Sequence, residues 1–317
     1  MNNLQENVFN TLTRIETFIK SSELLNQLSH LVQIDFSVVG GAIRDLYLEK
    51  PIKDIDISIN LNFYKNLKVI YPTARYKDDD ADDILIREQS AEAEALDKRN
   101  KEIIAILRKP EFSIVHNLLE QKDATAIQCI VYLIQKTIEL NNDYTINKVF
   151  DSNSMKTTSE TIKLKEVAYE NLGLFAVFSM EDKKSNYPVE LLFTTDKVDN
   201  FIECFDFDIC KIYMTNLDGN PNIVPSKKFL NEIQNQTITY TPDYSVTEAK
   251  MNKSLFVRYE RLQKKYPEFV LTVDTSGLGT NNKDMIENTV KAVSLFHQLK
   301  ETTNDSQNKK IGRPFKI

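Results

Sequence analysis

One stretch, Phe36 to Ile57 (FSVVGGAIRDLYLEKPIKDIDI), limits the folds open to this chain more than any other. A short apolar run ends on Gly40–Gly41, Ala42 to Glu49 predicts one or two turns of helix, and Pro51 stops it. Asp54-Ile55-Asp56-Ile57 then alternates acidic and branched apolar residues, the pattern of a half-buried strand. On a strand, residues two apart share a face, so Asp54 and Asp56 project together while Ile55 and Ile57 enter the core. Adjacent carboxylates repel unless a positive charge lies between them, and hard oxygen ligands suit Mg²⁺. Gly40–Gly41 allows a tight turn and close backbone approach, and the N–H groups opening the following helix favour phosphate. Paired carboxylates beside a phosphate cradle describe a nucleotide site. The bland alternative, a turn followed by an acidic surface strand, leaves unexplained why two of only 7 glycines are adjacent and followed by Arg44-Asp45.

The order of strand, GG, short helix with Arg-Asp, and DxD resembles the DNA polymerase β-type nucleotidyltransferase superfamily. More narrowly, GGAIRD and DID resemble the head domain of tRNA CCA-adding enzymes and bacterial poly(A) polymerases. The resemblance implies an α+β fold: a mixed sheet flanked by helices, a helical insertion and a helical neck. It also implies metal ligation by Asp54 and Asp56, with Gly40, Gly41 and Arg44 on the triphosphate of a nucleoside triphosphate. Asp45 would orient the sugar or neighbouring side chains.

The remaining candidates are placed by this family order. Glu190 is the only acid in the run PVELLF, where an unpaired charge is costly to bury. The family carries a third metal-side carboxylate in such a context, so Glu190 is the candidate; a Glu on the solvent side of an edge strand is the alternative. Residues 201–214 (FIECFDFDICKIYM) resemble the family's RRDFTIN segment, which contacts ribose and base. Asp206-Phe207 matches its Asp-Phe, but Cys204 and Phe205 replace the two arginines, Asp208 the threonine and Cys210 the asparagine. The third carboxylate is therefore Glu190 or lies in this FDFD segment. Lys253, Arg258, Arg261, Lys264 and Lys265 follow on a predicted helix at the position of the family's neck, where arginines reach the triphosphate. Arg258 and Arg261 are the nucleotide-binding candidates there, against an ordinary basic solvent face.

At 317 residues the chain has room for more than one domain. Residues 1–240 are expected to form the head, with a helical insertion over about 75–145. Residues 241–300 would form the neck-like region, and 301–317 a disordered tail with a basic tip. Within the head, apolar positions from Leu4 to Leu28 predict amphipathic helices over the sheet, 84–108 and 112–140 read as the insertion's helices, and 161–180 as strand. The acidic cluster from Asp78 to Asp83 reads as a solvated loop, and 275–280 as a Gly-rich loop before a helix at 283–300.

No apolar run approaches a membrane span, and MNNLQENVFN lacks the layout of a signal peptide. Three cysteines without metal-ligand spacing predict reduced thiols and a cytoplasmic setting. No sequence signal selects an oligomeric state. The expected activity is Mg²⁺-dependent transfer of a nucleoside monophosphate, ATP being one candidate donor, to an RNA 3′ end such as that of tRNA. A net charge of −6 keeps two rivals open. One is a toxin-like nucleotidyltransferase that modifies a protein or small molecule, which the absence of the tRNA-gripping body and tail also favours. The other is a catalytically degenerate nucleotide- or RNA-binding protein.

Overall fold

Apolar residues at Val8, Leu12, Ile15 and Ile19 recur every three or four positions, and in the computed structural model they form the buried stripe of α1 (Asn3–Lys20). The structure describes residues 3–64, 67, 81–120, 125–151, 174–241 and 258–274. The chain divides into two compact units, Met1–Ile202 with Tyr213–Val224, and Glu203–Ile212 with Pro225–Ile317.

In the first unit, α1 and α2 (Glu23–Leu28) lead into β1 (Gln33–Val39), against which α1 packs. A short helix, α3 (Gly41–Tyr47), connects β1 to β2 (Ile55–Asn62), which pairs antiparallel with β1 so that Val39 stands opposite Asp56. Ile55, Ile57, Ile59 and Leu61 are all fully buried, which fixes the register: a one-residue slip would put all four on the other face. Among the described residues, seven strands form one mixed sheet in the order β3-β4-β5-β2-β1-β6-β7. The further strands are β3 (Tyr144–Asp151), β4 (Leu174–Asp182), β5 (Val189–Thr194), β6 (Ile212–Leu217) and β7 (Asn220–Pro225). Near the centre of this sheet, β2 and β5 pair in parallel. Arg14 of α1 pairs with Asp182, whose side chain is fully buried, and so ties the first helix to the end of β4.

Among the described residues the insertion is helical, as its composition predicts, and it is interrupted. α4 (Ala81–Leu107) is followed by a 3₁₀ segment from Pro110 to Val115, α5 (His116–Leu119) and α6 (Ala126–Glu139). Pro110 opens the 3₁₀ segment, and Thr125 starts a new helix through a reciprocal capping box with Gln128. The single helix expected over 112–140 is thereby divided. α6 buries Cys129, Ile130, Leu133, Ile134 and Ile138 and contacts α1, α2, α4 and β3. Arg99 of α4 donates to the Leu31 carbonyl at 2.7 Å, a buried tie between the insertion and the turn after α2. β3 was not legible as a strand, because as an edge strand it leaves much of YTINKVF exposed and shows little apolar alternation. Asp82 and Asp83, expected in a solvated loop, instead lie in the first turn of α4. The strand expected over 161–173, the rest of that cluster at 78–80, Lys253, the loop at 275–280, the helix at 283–300 and the tail lie outside the described residues.

In the second unit, α8 (Lys227–Asn235), which follows α7 (Val198–Glu203) of the first, starts where the Ser226 hydroxyl accepts from Phe229 N at 3.1 Å. β8 (Thr237–Tyr240) follows and pairs parallel with β9 (Val270–Val273), so this unit adds a strand pair to the helices predicted for it. Glu232 fastens α8 to β8, accepting from the Thr237 hydroxyl at 3.1 Å and from the Thr239 hydroxyl at 2.7 Å. A helix over 258–265 buries Tyr259 and Leu262 before Pro267. No helix among the described residues is long and apolar enough to cross a membrane.

Candidate active site

Gly40 turns the chain from β1 into α3 with φ 67° and ψ −124°, a conformation in which a side chain would be strained. Gly41 is different. A Cβ there would meet only the Arg44 guanidinium, at 3.5 Å, which is ordinary contact. The chain's own packing therefore does not require a glycine at 41. Behind the turn, the Arg44 guanidinium donates to one oxygen of Asp45 from Nε at 2.8 Å and from Nη2 at 2.6 Å. Both side chains are buried on α3, so the carboxylate fixes the plane of the guanidinium.

The ladder carries on from Asp54 into β2: Ile55 N donates to the Pro188 carbonyl at 2.9 Å, and Ile55 faces Val189. Asp54, just before β2, and Asp56 within it are both half-buried and alternate with fully buried Ile55 and Ile57, the pattern expected of two residues that share a face. Glu190 stands directly opposite Asp56 on the parallel neighbour β5, and Ser179 of β4 stands directly opposite Glu190. A file of Asp56, Glu190 and Ser179 thus crosses three adjacent strands. The Ser179 hydroxyl donates to Glu190 Oε1 at 3.2 Å. Asp54 lies at the exposed end, with Lys53 Nζ at 3.0 Å. Among the described residues, no three Asp, Glu, His or Cys side chains converge closely enough to hold a metal ion by themselves.

Asp206, Asp208, Arg258 and Arg261 belong to the second unit. Asp206 is ion-paired with Arg258, whose guanidinium also lies over the ring of buried Phe207, 5.2 Å from its centroid. Phe207 packs on Tyr240 with centroids 5.3 Å apart, and the Asp206 carbonyl accepts from Thr241 N at 2.7 Å. Burial pushes the Asp206 carboxyl above the ordinary carboxylate range, and the Arg258 guanidinium draws it part of the way back. Asp208, two residues on, pairs with Lys211 at 2.7 Å and accepts from the Thr241 hydroxyl at 3.3 Å. Arg261 is exposed three residues after Arg258 on the same helix.

Two of these residues escaped the sequence reading. Lys211 is a fully buried lysine inside DICKIYM, and a lone cation in an apolar run is a signal that it has a partner. Ser179, a lone hydroxyl in LFAVFSM, gave no such signal, because its role depends on the strand beside it.

Residues 36–163 match the poly(A) polymerase head domain family. No protein of curated function matches the sequence. Among solved structures, a Thermotoga maritima CCA-adding enzyme in complex with tRNA is similar at 10% identity, covering 88% of this chain and 41% of its own, with a TM-score of 0.36. A tRNA nucleotidyltransferase in complex with a primer tRNA and an incoming ATP analogue is similar at 12% identity, covering 84% and 49%, with a TM-score of 0.32. An apo tRNA-processing enzyme is similar at 10% identity, covering 88% and 49%, with a TM-score of 0.34. This chain spans less than half the length of each of these three. The segment that matches the poly(A) polymerase head domain holds both the Gly40 turn and the Asp54–Asp56 segment, and the likeness to that family extends over residues 36–163.

Proposed function

We propose that this protein transfers a nucleoside monophosphate from a nucleoside triphosphate to an acceptor hydroxyl at an RNA 3′ end, with tRNA as the foremost candidate. The observation that carries the reading is the in-register pairing of Asp56 with Glu190 on the central parallel strands, next in the sheet to the strand that ends at the Gly40 turn. In the transfer, the acceptor oxygen bonds to the α-phosphorus, the bond to pyrophosphate breaks, and the hydroxyl proton passes to solvent.

The donor set fits Mg²⁺. Asp54, Asp56 and Glu190 offer hard carboxylate oxygens, two of them from directly paired positions. Mg²⁺ is commonly bound by one or two carboxylates and completed by substrate phosphates and water, so a closed cluster of three protein ligands is not needed. Bound there, Mg²⁺ would lower the pKa of the attacking hydroxyl and neutralise charge on the leaving pyrophosphate. The pairing of Asp206 with Arg258, and of Asp208 with Lys211, favours Glu190 over the FDFD segment as the third carboxylate.

Gly40 and Gly41 leave room for the triphosphate to approach the backbone, and Asp45 presents Arg44 to it. In the second unit, Arg258 and Arg261 contribute to nucleotide binding, and Asp206 orients Arg258. The three cysteines are free thiols, which supports a reducing, cytoplasmic setting.

Incubation of the purified protein with each labelled nucleoside triphosphate, Mg²⁺ and total RNA tests the reading. Label on RNA that depends on Mg²⁺ and disappears in D56N supports it. Label on the protein or on a small molecule assigns the acceptor there instead. No transfer, with nucleotide still bound, identifies a degenerate binding protein.

A further inference from the structure

The metal-side carboxylates are on β2 and β5, but the file they form continues one strand further. β4 brings Ser179 directly opposite Glu190, and its hydroxyl donates to Glu190 Oε1 at 3.2 Å. We propose that Ser179 is a positioning residue for Mg²⁺: it holds one oxygen of Glu190 so that the other is presented toward Asp56. The inference rests on Glu190 being a metal ligand.

The geometry leaves Glu190 few other constraints. It is half-buried, it extends from a strand whose neighbours Val189 and Leu191 are buried on the opposite face, and like charge from Asp56 pushes it away. A glutamate has three side-chain torsions, and without a fixed partner its carboxylate would sample several rotamers. The Ser179 hydroxyl supplies such a partner by donating to its Oε1. Phe178 and Met180, on either side of Ser179, are only 1% and 2% exposed, which fixes the height and the face from which the hydroxyl is offered. Hydrogen bonds that orient a ligating side chain commonly change metal affinity by about 10–100-fold when removed.

The test uses the full chain with Mg²⁺ as the probe, in S179A, S179T and E190Q. Two readouts are taken: the Mg²⁺ concentration giving half-maximal transfer, and the Mg²⁺-induced rise in melting temperature without nucleotide. In S179A the half-maximal Mg²⁺ concentration should rise about tenfold or more, with kcat at saturating Mg²⁺ within about threefold of the parent. The thermal response should move to higher Mg²⁺ in parallel. S179T keeps the hydroxyl on a strand-favouring side chain and should restore both readouts. In an E190Q background, S179A should cause no further change. An unchanged Mg²⁺ requirement in S179A overturns the proposal, as does equal loss in S179A and S179T or additivity with E190Q. If the unsubstituted chain shows neither transfer nor a thermal response to Mg²⁺, the functional reading itself fails. A parent that shows both, alongside an indifferent S179A, refutes Ser179 alone.

Discussion

Glu190→Gln should make the protein more stable without metal while removing its activity. Adjacent strands lie about 4.8 Å apart, so side chains from the directly paired positions Asp56 and Glu190 bring their charges to roughly 5 Å. Two like unit charges at that distance repel by about 0.8 kcal/mol in water and about 3 kcal/mol at an effective dielectric of 20. Both residues are half-exposed, which places the repulsion near the lower end, at about 1 kcal/mol. Glutamine removes one charge, and its carbonyl still accepts the Ser179 hydroxyl, so local packing is kept. In chelator, E190Q should therefore melt about 2–4 °C above the parent, the shift that 1 kcal/mol gives in a domain of 150–250 residues. Added Mg²⁺ should raise the melting temperature of the parent and reverse the order, because a ligand stabilises only the form that binds it. Transfer by E190Q should fall by about two to three orders of magnitude. A lower melting temperature for E190Q in chelator would show that Glu190 is held by a structural partner and that the repulsion is misjudged. Full turnover in E190Q, with loss in D206N or D208N, would move the third carboxylate to the FDFD segment.

Four further outcomes follow from the geometry. G40A should lose about 1–3 kcal/mol of stability by denaturant titration, whereas G41A should cost less than 1 kcal/mol yet weaken triphosphate binding, since a Cβ at Gly41 fits the chain itself. If Asp206 acts through Arg258, a double-mutant cycle on nucleotide affinity should show D206A harmful alone and silent in R258A; additive effects would mean that Asp206 touches the nucleotide directly. Exposed Cys204 should react first with a thiol reagent, while buried Cys129, its thiol pushed up to about 11 by burial, should react only on unfolding. Burial and the hydrogen bond to Asp199 push Tyr213 up to about 12, above an unfolded value near 10. The native state then holds its proton longer, so stability should fall as pH rises from about 10 to 12, and Y213F should remove that part of the fall in melts across this range.

Much of the first unit could be read from residues alone. Period-two alternation placed Ile55 and Ile57 inside, because strand geometry is local and one face was plainly apolar. The Gly40 turn was legible because positive φ at such a bend selects glycine. Helices α1 and α4 followed from apolar spacing, which acts within one or two turns, whereas the start of α6 at Ala126 did not. β3 and β9 were not legible: each is a strand through the partner it pairs with, not through a strong pattern of its own.

The sequence by itself determined which residues could do the chemistry: the glycine pair, the Arg44-Asp45 couple and the alternating carboxylates, each set by local backbone preference and side-chain type. Only the tertiary structure decided which of them meet. Asp56 and Glu190 are 134 residues apart in sequence and become direct neighbours because β5 pairs parallel with β2 in one register. The same pairing of β4 with β5 turns an unremarkable serine into the hydroxyl that holds Glu190, and the fold of the second unit assigns Asp206 to Arg258 and Asp208 to Lys211. Contacts of this kind depend on strand order and register, which are settled by the summed burial of the whole sheet and not by any one segment.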